Sequence, residues 1–259
     1  MTSALAVKLV ASPLLIAGAS LAGKRWGHNA AGLIGGLPLV GGPIVVALWL
    51  EQGNEVARSV ALAAPVGIWA TIVYLLTVGF MTALAPWYLA IALGWLSYLG
   101  AEWVLHTTSV AYSIALGVAV IPALWIAANR VLPKPDAHAA PAHLPKIELV
   151  ARMAAATLIV WVLTESTHAI GAEYTGTLAA APVAASVIPA FTLAISGRDA
   201  TLLALRGFLT GLIGFAAFFF VLAHTMQIGL LAIVPAALAA IAAGLVATKA
   251  PGGLLRFPP

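Results

Sequence analysis

Nine times along the chain an apolar run continues for about 20 residues, the length an α-helix needs to cross a bilayer. The runs cover about 5–22, 30–50, 56–80, 83–103, 108–128, 148–168, 174–195, 200–223 and 228–248. This repetition leaves few folds open. In hydrocarbon every backbone N–H and C=O must find a partner within the protein, so only helices or a closed barrel can span. No ten-residue alternation of apolar and polar residues marks barrel strands. Charge agrees, since 8% of the 259 residues are Asp, Glu, Lys or Arg, against about a quarter in soluble domains. The expectation is an all-α polytopic membrane protein with nine transmembrane helices. There are no cysteines, so disulfides, thiolate metal sites and cysteine nucleophiles are excluded. Lys and Arg do not cluster as a nucleic-acid surface requires. The opening run, MTSALAVKLVASPLLIAGASLAGK, has the small residues of a signal peptide but no convincing basic leader, and reads as the first span.

Nine spans put the termini on opposite sides. One side then holds Lys24, Arg25, Arg130, Lys134, Lys146, Arg152, Arg198, Arg206, Lys249 and Arg256, the other only Lys8 and Arg58. The positive-inside rule makes the richer side cytoplasmic, with the N-terminus outside and the C-terminus inside. Glu51, Glu55, Glu102, Glu165 and Glu173 fall on the outer side. The single long polar connection, RVLPKPDAHAAPAHLPK, reads as a semi-extended cytoplasmic linker. Its His138 and His143 read as solvated loop rather than metal ligands.

A shift of 144 residues brings helix-breakers into register without a gap. Gly27 meets Gly171, Gly32 meets Gly176, Pro38 meets Pro182, Gly53 meets Gly197 and Gly67 meets Gly211. Lys8 meets Arg152, and Glu55 meets Asp199. The first four spans map on the last four, and the fifth has no partner. An odd number of spans per repeat inverts the second copy. The expected architecture is an inverted 4+1+4 repeat: 1–105 as the first four-helix unit, 106–147 as linker helix and loop, 148–259 as the second unit with its tail. Inverted repeats with an axis in the membrane plane are frequent in secondary transporters.

The stretch GLIGGLPLVGGP, residues 32–43, places five glycines and two prolines within a span. Its second copy, GTLAAAPVAASV, is followed by Ile188 and Pro189. A kink or a small-residue packing face explains one such stretch. Paired interruptions in corresponding helices point to a transporter site. Gly42 suits an N-cap and Pro43 the first position of a restarted half-helix, with Ser186 as the corresponding cap. The expected substrate-binding residues are Pro38, Gly41, Gly42, Pro43, Pro182, Ser186 and Pro189, with free amides favouring an anionic group.

Residues 24–80 resemble the GlpM-like family of small membrane proteins. The resemblance rests on Ala31-Gly32-Leu33, Pro38, Glu51-Gln52-Gly53 and Arg58. In the second copy Gly176, Pro182 and Gly197 persist, while Ile195 and Leu202 replace the acid and the arginine. The resemblance implies a polytopic protein of the bacterial-type inner membrane. It brings no substrate and no reaction with it.

Ionisable groups in a span are costly and are weighed one by one. Lys8 and Arg152, near the starts of equivalent helices, read either as snorkelling to the interface or as paired anion gates. Glu102 and His106 lie at i and i+4, and Glu165 and His168 one turn apart. These carboxylate–imidazole pairs read as interfacial polar groups ahead of a proton relay and, last, a divalent-metal site, with Glu165 as the foremost coupling residue. No metal site, no cofactor and no enzymatic constellation is expected. Trp26, Trp49, Trp87, Trp103 and Trp125 read as interfacial anchors, and Trp161 as a core or cavity residue. The reading is a secondary transporter of a small metabolite carrying an anionic group. The competing reading is a non-transporting membrane subunit for a polysaccharide- or lipid-processing system. The partners expected are the lipid bilayer and a small-molecule substrate, with a homodimer left open.

Overall fold

The computed structural model describes residues 3–107, 114–135, 146–170 and 180–249, with side chains over these ranges except at 3–9, 12, 114–120, 146 and 163–170. Among the described residues every regular element is helical. In chain order these are α1 (Ser3–Trp26), α2 (His28–Gly35), α3 (Gly41–Gln52), α4 (Asn54–Ala63), α5 (Ile68–Met81), α6 (Trp87–Thr107), α7 (Ile114–Val131), α8 (Lys146–Ile170) and α9 (Val183–Thr225). A 3₁₀ segment, Met226–Ala232, then leads into α10 (Ile233–Lys249).

Among the described residues two stretches qualify as bilayer spans by length and apolarity, Trp87–Thr107 and Val183–Lys249 taken as one. A third qualifies if α4 and α5, bent by 44° at the break between them, form one span. That break corrects the expectation of an unbroken helix over 56–80. Pro65 has no amide to donate to Ala61, and the chain turns through short bonds from Ile68 to Pro65 and from Trp69 to Val66 (3.2 and 3.1 Å).

The stretch from Val183 to Lys249 would be roughly 100 Å long if straight, about three times the hydrocarbon thickness. It folds back twice instead. At Gly197 (φ 82°, ψ −169°) the chain reverses, so that Ala184 and Ala185 share a cavity wall with Phe208 and Leu212. The second reversal passes through Gly229, and a methyl group on Gly214 would meet the Ala240 carbonyl. Residues 183–196, 198–225 and 233–249 are therefore three arms.

The middle arm is the centre of the molecule. From Ala200 to Leu212 every residue but Leu203 is buried, as for a helix covered all round. Helix α2 crosses it at backbone contact. A methyl on Gly32 would strike the Ala204 carbonyl, and one on Gly36 would meet Phe208 O and Gly211 Cα. Small residues let the two backbones approach this closely. Helix α1 packs on α2 and α8, while α5 and α6 form a hairpin in which Gly94 admits Tyr74 and Val78.

Helix α5 ends at Met81 and α9 at Thr225, 144 residues apart. Gly53, between α3 and α4, has φ 87° and ψ −177°; Gly197, between the first two arms of α9, has φ 82° and ψ −169°.

Candidate functional site

The stretch 32–43 is an interrupted helix. Helix α2 stops at Gly35 and α3 starts at Gly41. Between them Leu37 bonds back to Ile34 O (3.0 Å) and Leu39 to Leu37 O (2.6 Å), in place of the i→i−4 ladder. Pro38 and Pro43 lack the donors such a ladder needs. On the other side of the junction the chain is non-helical at Ala181 and Pro182, and α9 begins at Val183.

The restart positions differ from expectation. Val40, not Gly42, is the N-cap residue of α3, and Gly41 is its first helical residue, which puts Pro43 at the third position. Proline is tolerated there because the first-turn amides have no intrahelical acceptor. In the second copy Pro182 is the N-cap residue, not Ser186. Ser186 lies one turn inside the helix, where its hydroxyl donates to the Pro182 carbonyl (2.6 Å). Pro189 marks no further break; it is buried within a helical arm.

The break between α2 and α3 faces the start of α9. Gly35, Gly36, Val40 and Gly41 from one, and Ala181 and Pro182 from the other, wall a cavity of about 30 Å³. That is room for a water or two, far below the roughly 300 Å³ at which small-molecule pockets begin. Among the described residues no hydrogen bond reaches the amides of Val40, Gly41, Ala184 or Ala185. These are the orphan donors of two helix starts.

Hydroxyl groups of α5 tie the junction together. Thr71 donates to the Ala180 carbonyl (2.7 Å). Tyr74, fully buried, donates to Ser186 Oγ (2.9 Å). The α9 counterpart of Tyr74 is Phe218, whose ring edge would lie 3.7 Å from a methyl on Gly42. Tyr74 and Phe218 are 144 residues apart, and so are Gly42 and Ser186. The contact is reciprocal, as in an isologous interface. Neither Thr71 nor Tyr74 was expected at the site. The available signal was two hydrogen-bonding groups three residues apart in an otherwise apolar run.

Arg152 does not extend to the protein surface as a snorkelling side chain would. It is buried and bonded through Nε and Nη2 to Glu148 Oε1, one turn earlier. Its guanidinium carbon lies 5.4 Å from the centre of the Phe191 ring. A buried charge needs such a partner because hydrocarbon supplies none. The side chains of Lys8, Glu165 and His168 lie outside the described residues, as do His138 and His143. Glu102 is buried on α6, with Tyr98 a turn before it and His106 a turn after. Among the described residues no three His, Asp or Glu side chains gather as a metal site requires.

Arg206 has a role that sequence reasoning missed. Counted as a cytoplasmic charge, it is instead buried, donating to Asn129 O (3.1 Å), Leu132 O (2.6 Å) and Pro133 O (3.2 Å). It caps the C-terminal end of α7, where the carbonyls lack intrahelical donors. Arg58 makes a similar bond to Ala223 O (3.1 Å), close to the end of α9. Trp161 is 47% exposed and faces outward, not into a cavity, whereas Trp125 is buried rather than anchored at an interface. No protein-family model, no curated protein and no solved structure matches this chain.

Proposed function

We propose that the chain is a secondary transporter whose site is the junction of α2, α3 and α9, built from two inverted repeats of four helices joined by α7. The observation that carries this reading is the cavity walled on one side by the break between α2 and α3 and on the other by the start of α9. Irregular backbone at membrane depth is tolerated where it is enclosed by protein or lines a cavity, and paired half-helices form substrate sites in transporters. The recurrence of element boundaries and of the Tyr74–Ser186 and Phe218–Gly42 contacts at one 144-residue spacing supports the duplication. The four amides that no described residue bonds suit an anionic group on a small metabolite.

A cavity of about 30 Å³ holds no metabolite, so on this reading the conformation is a closed one and the junction opens during transport. The same smallness favours the second reading, a non-transporting membrane subunit whose glycines serve close packing alone. The protein has no cysteine, which allows a direct separation. Ala181→Cys and Ala184→Cys place a thiol in the cavity wall with little added volume. In membrane vesicles of either orientation, a transporter exposes these thiols to a small charged thiosulfonate from both faces. A junction that never opens leaves both unlabelled, while a control Lys134→Cys reacts from one face; that result rejects transport through this site.

A further inference from the structure

Among the described residues a second cavity, open on one side, lies between α5, α6 and α7, with a volume of about 490 Å³. This is within the range of ligand-holding pockets, unlike the junction. Its wall is apolar: Trp69 and Leu76 on α5, Gly100 and Ala101 on α6, Ala128 and Val131 on α7. The Ser97 hydroxyl in this wall is already donated to Gly94 O (2.7 Å). Along each helix the wall runs for about 11 Å, at 1.5 Å per residue. Small residues hollow it: a methyl added to Gly100 would meet nothing within 4 Å. Water gains nothing in such a groove, because it needs polar partners.

The end of the groove at Val131 is strongly positive. Arg130 and Lys134 are exposed there, and neither makes an ion pair or hydrogen bond with any described residue. Arg206 adds a third charge at the same helix end, and all its bonds go to carbonyls. An apolar groove ending in cations that no described residue pairs is the complement of an anionic amphiphile. Basic pockets between membrane helices bind anionic headgroups in this way.

We propose that the α5–α6–α7 groove holds an acyl chain of an anionic phospholipid whose headgroup rests on Arg130 and Lys134. The site is independent of the junction and of whether the junction transports. Phosphate and guanidinium meet by bidentate hydrogen bonds, and lysine adds a point charge. The occupant comes from the bilayer, since the groove is continuous with the lipid-facing sides of α6 and α7, where Val104, Trp103 and Ile126 are exposed.

The test uses the detergent-solubilised full chain and two lipids with identical acyl chains, phosphatidylglycerol and phosphatidylcholine. Bound lipid is counted by native mass spectrometry, and the midpoint of thermal unfolding is recorded with and without each lipid. Wild-type protein is expected to retain phosphatidylglycerol at least several-fold over phosphatidylcholine. Arg130→Gln with Lys134→Gln removes that preference while phosphatidylcholine retention stays unchanged. Gly100→Leu fills the groove and lowers retention of both lipids several-fold. A second pair, Lys24→Gln with Arg25→Gln, loses the same charge elsewhere on the surface and keeps the preference. The lipid-free midpoint of each variant establishes that it is folded. Equal retention of both lipids by wild-type protein overturns the site. So does an equal loss of preference in both charge pairs, which would mean diffuse electrostatic attraction with no defined seat for the headgroup.

Discussion

Single side chains decide the fate of the glycine positions, and they do so in opposite directions. Gly36 has no room for a methyl, because Phe208 O and Gly211 Cα already occupy the space it would take. Gly36→Ala is therefore expected to lower stability by about 1–3 kcal/mol, the usual cost of overpacking. Gly18, in the middle of α1, has nothing within 4 Å of the place a methyl would take, so Gly18→Ala is expected to gain up to about 1 kcal/mol of helix preference. Thermal unfolding in one detergent reads both, and equal effects would refute the steric account. Gly42 is intermediate: a methyl makes ordinary contact with Phe218 and Pro38 at 3.7–3.8 Å, so alanine is tolerated and leucine displaces the Phe218 ring. The Arg152–Glu148 pair gives a second expectation. Replacing Glu148 alone with leucine strands a buried guanidinium and should cost about 3–5 kcal/mol, while Glu148→Leu with Arg152→Met should cost less than Glu148→Leu alone. A double-mutant cycle by chemical denaturation measures the difference. The sequence placed the interruption correctly because proline lacks a donor wherever it sits. It misplaced the restart by two residues because the cap depends on Val40, whose backbone is helical (φ −105°, ψ −50°) although nothing in a valine side chain signals a cap.

Among the elements, the corners are where backbone conformation leaves least choice. Gly53 and Gly197 sit at φ 87° and 82° with ψ near 180°, a region that residues with a Cβ scarcely enter. Alanine at either position is expected to cost about 1–3 kcal/mol, although neither has an atom within 4 Å of the added methyl. Gly53→Ala, Gly197→Ala and Gly18→Ala measured together separate backbone strain from crowding, since none of the three is crowded. If all three raise stability, the strain argument fails. These corners were visible in the sequence as aligned glycines. The break at 64–67 was not foreseen, although Pro65 and Gly67 both stand there, because the apolar run continues across them and hydropathy does not register a lost amide. Helix ends closed by distant arginines were equally hidden. Arg206 lies 77 residues from Asn129, and no local pattern connects the two. Arg206→Gln should leave the last carbonyls of α7 short of partners, at a cost of about 3 kcal/mol, and should loosen α7 first. Amide hydrogen exchange across 121–131 is the readout, with α6 as the internal reference.

For the molecule as a whole, the asymmetry of charge gives an orientation that can be tested without knowing a substrate. The sequence expectation, drawn from ten Lys and Arg against two, of which Arg152 and Arg206 prove to be buried, is an outer N-terminus and a cytoplasmic 130–146 connection. Single cysteines at positions 2, 138 and 258 should therefore divide, with position 2 labelled from outside intact cells and the other two protected. Labelling of position 138 from outside would reverse the orientation. The helical class was legible from apolar run length, and the duplication was suggested by the spacing of glycines and prolines. The lipid groove was not legible, because its wall is made of the same small and aliphatic residues as every other helix face; only the way three helices splay apart makes it a cavity. One consequence concerns the order in which the chain is made. The carbonyls at the end of α7 receive their guanidinium from Arg206, 74 residues beyond Leu132. During synthesis that helix end therefore stays unsealed until the central arm of α9 has been made and moved into place. Each nascent chain passes through an interval in which its two halves are separate bodies. Co-expressing residues 1–138 and 139–259 as two polypeptides should then still yield the assembled protein, joined by the close approach of α2 to α9 and by Arg206 rather than by a peptide bond.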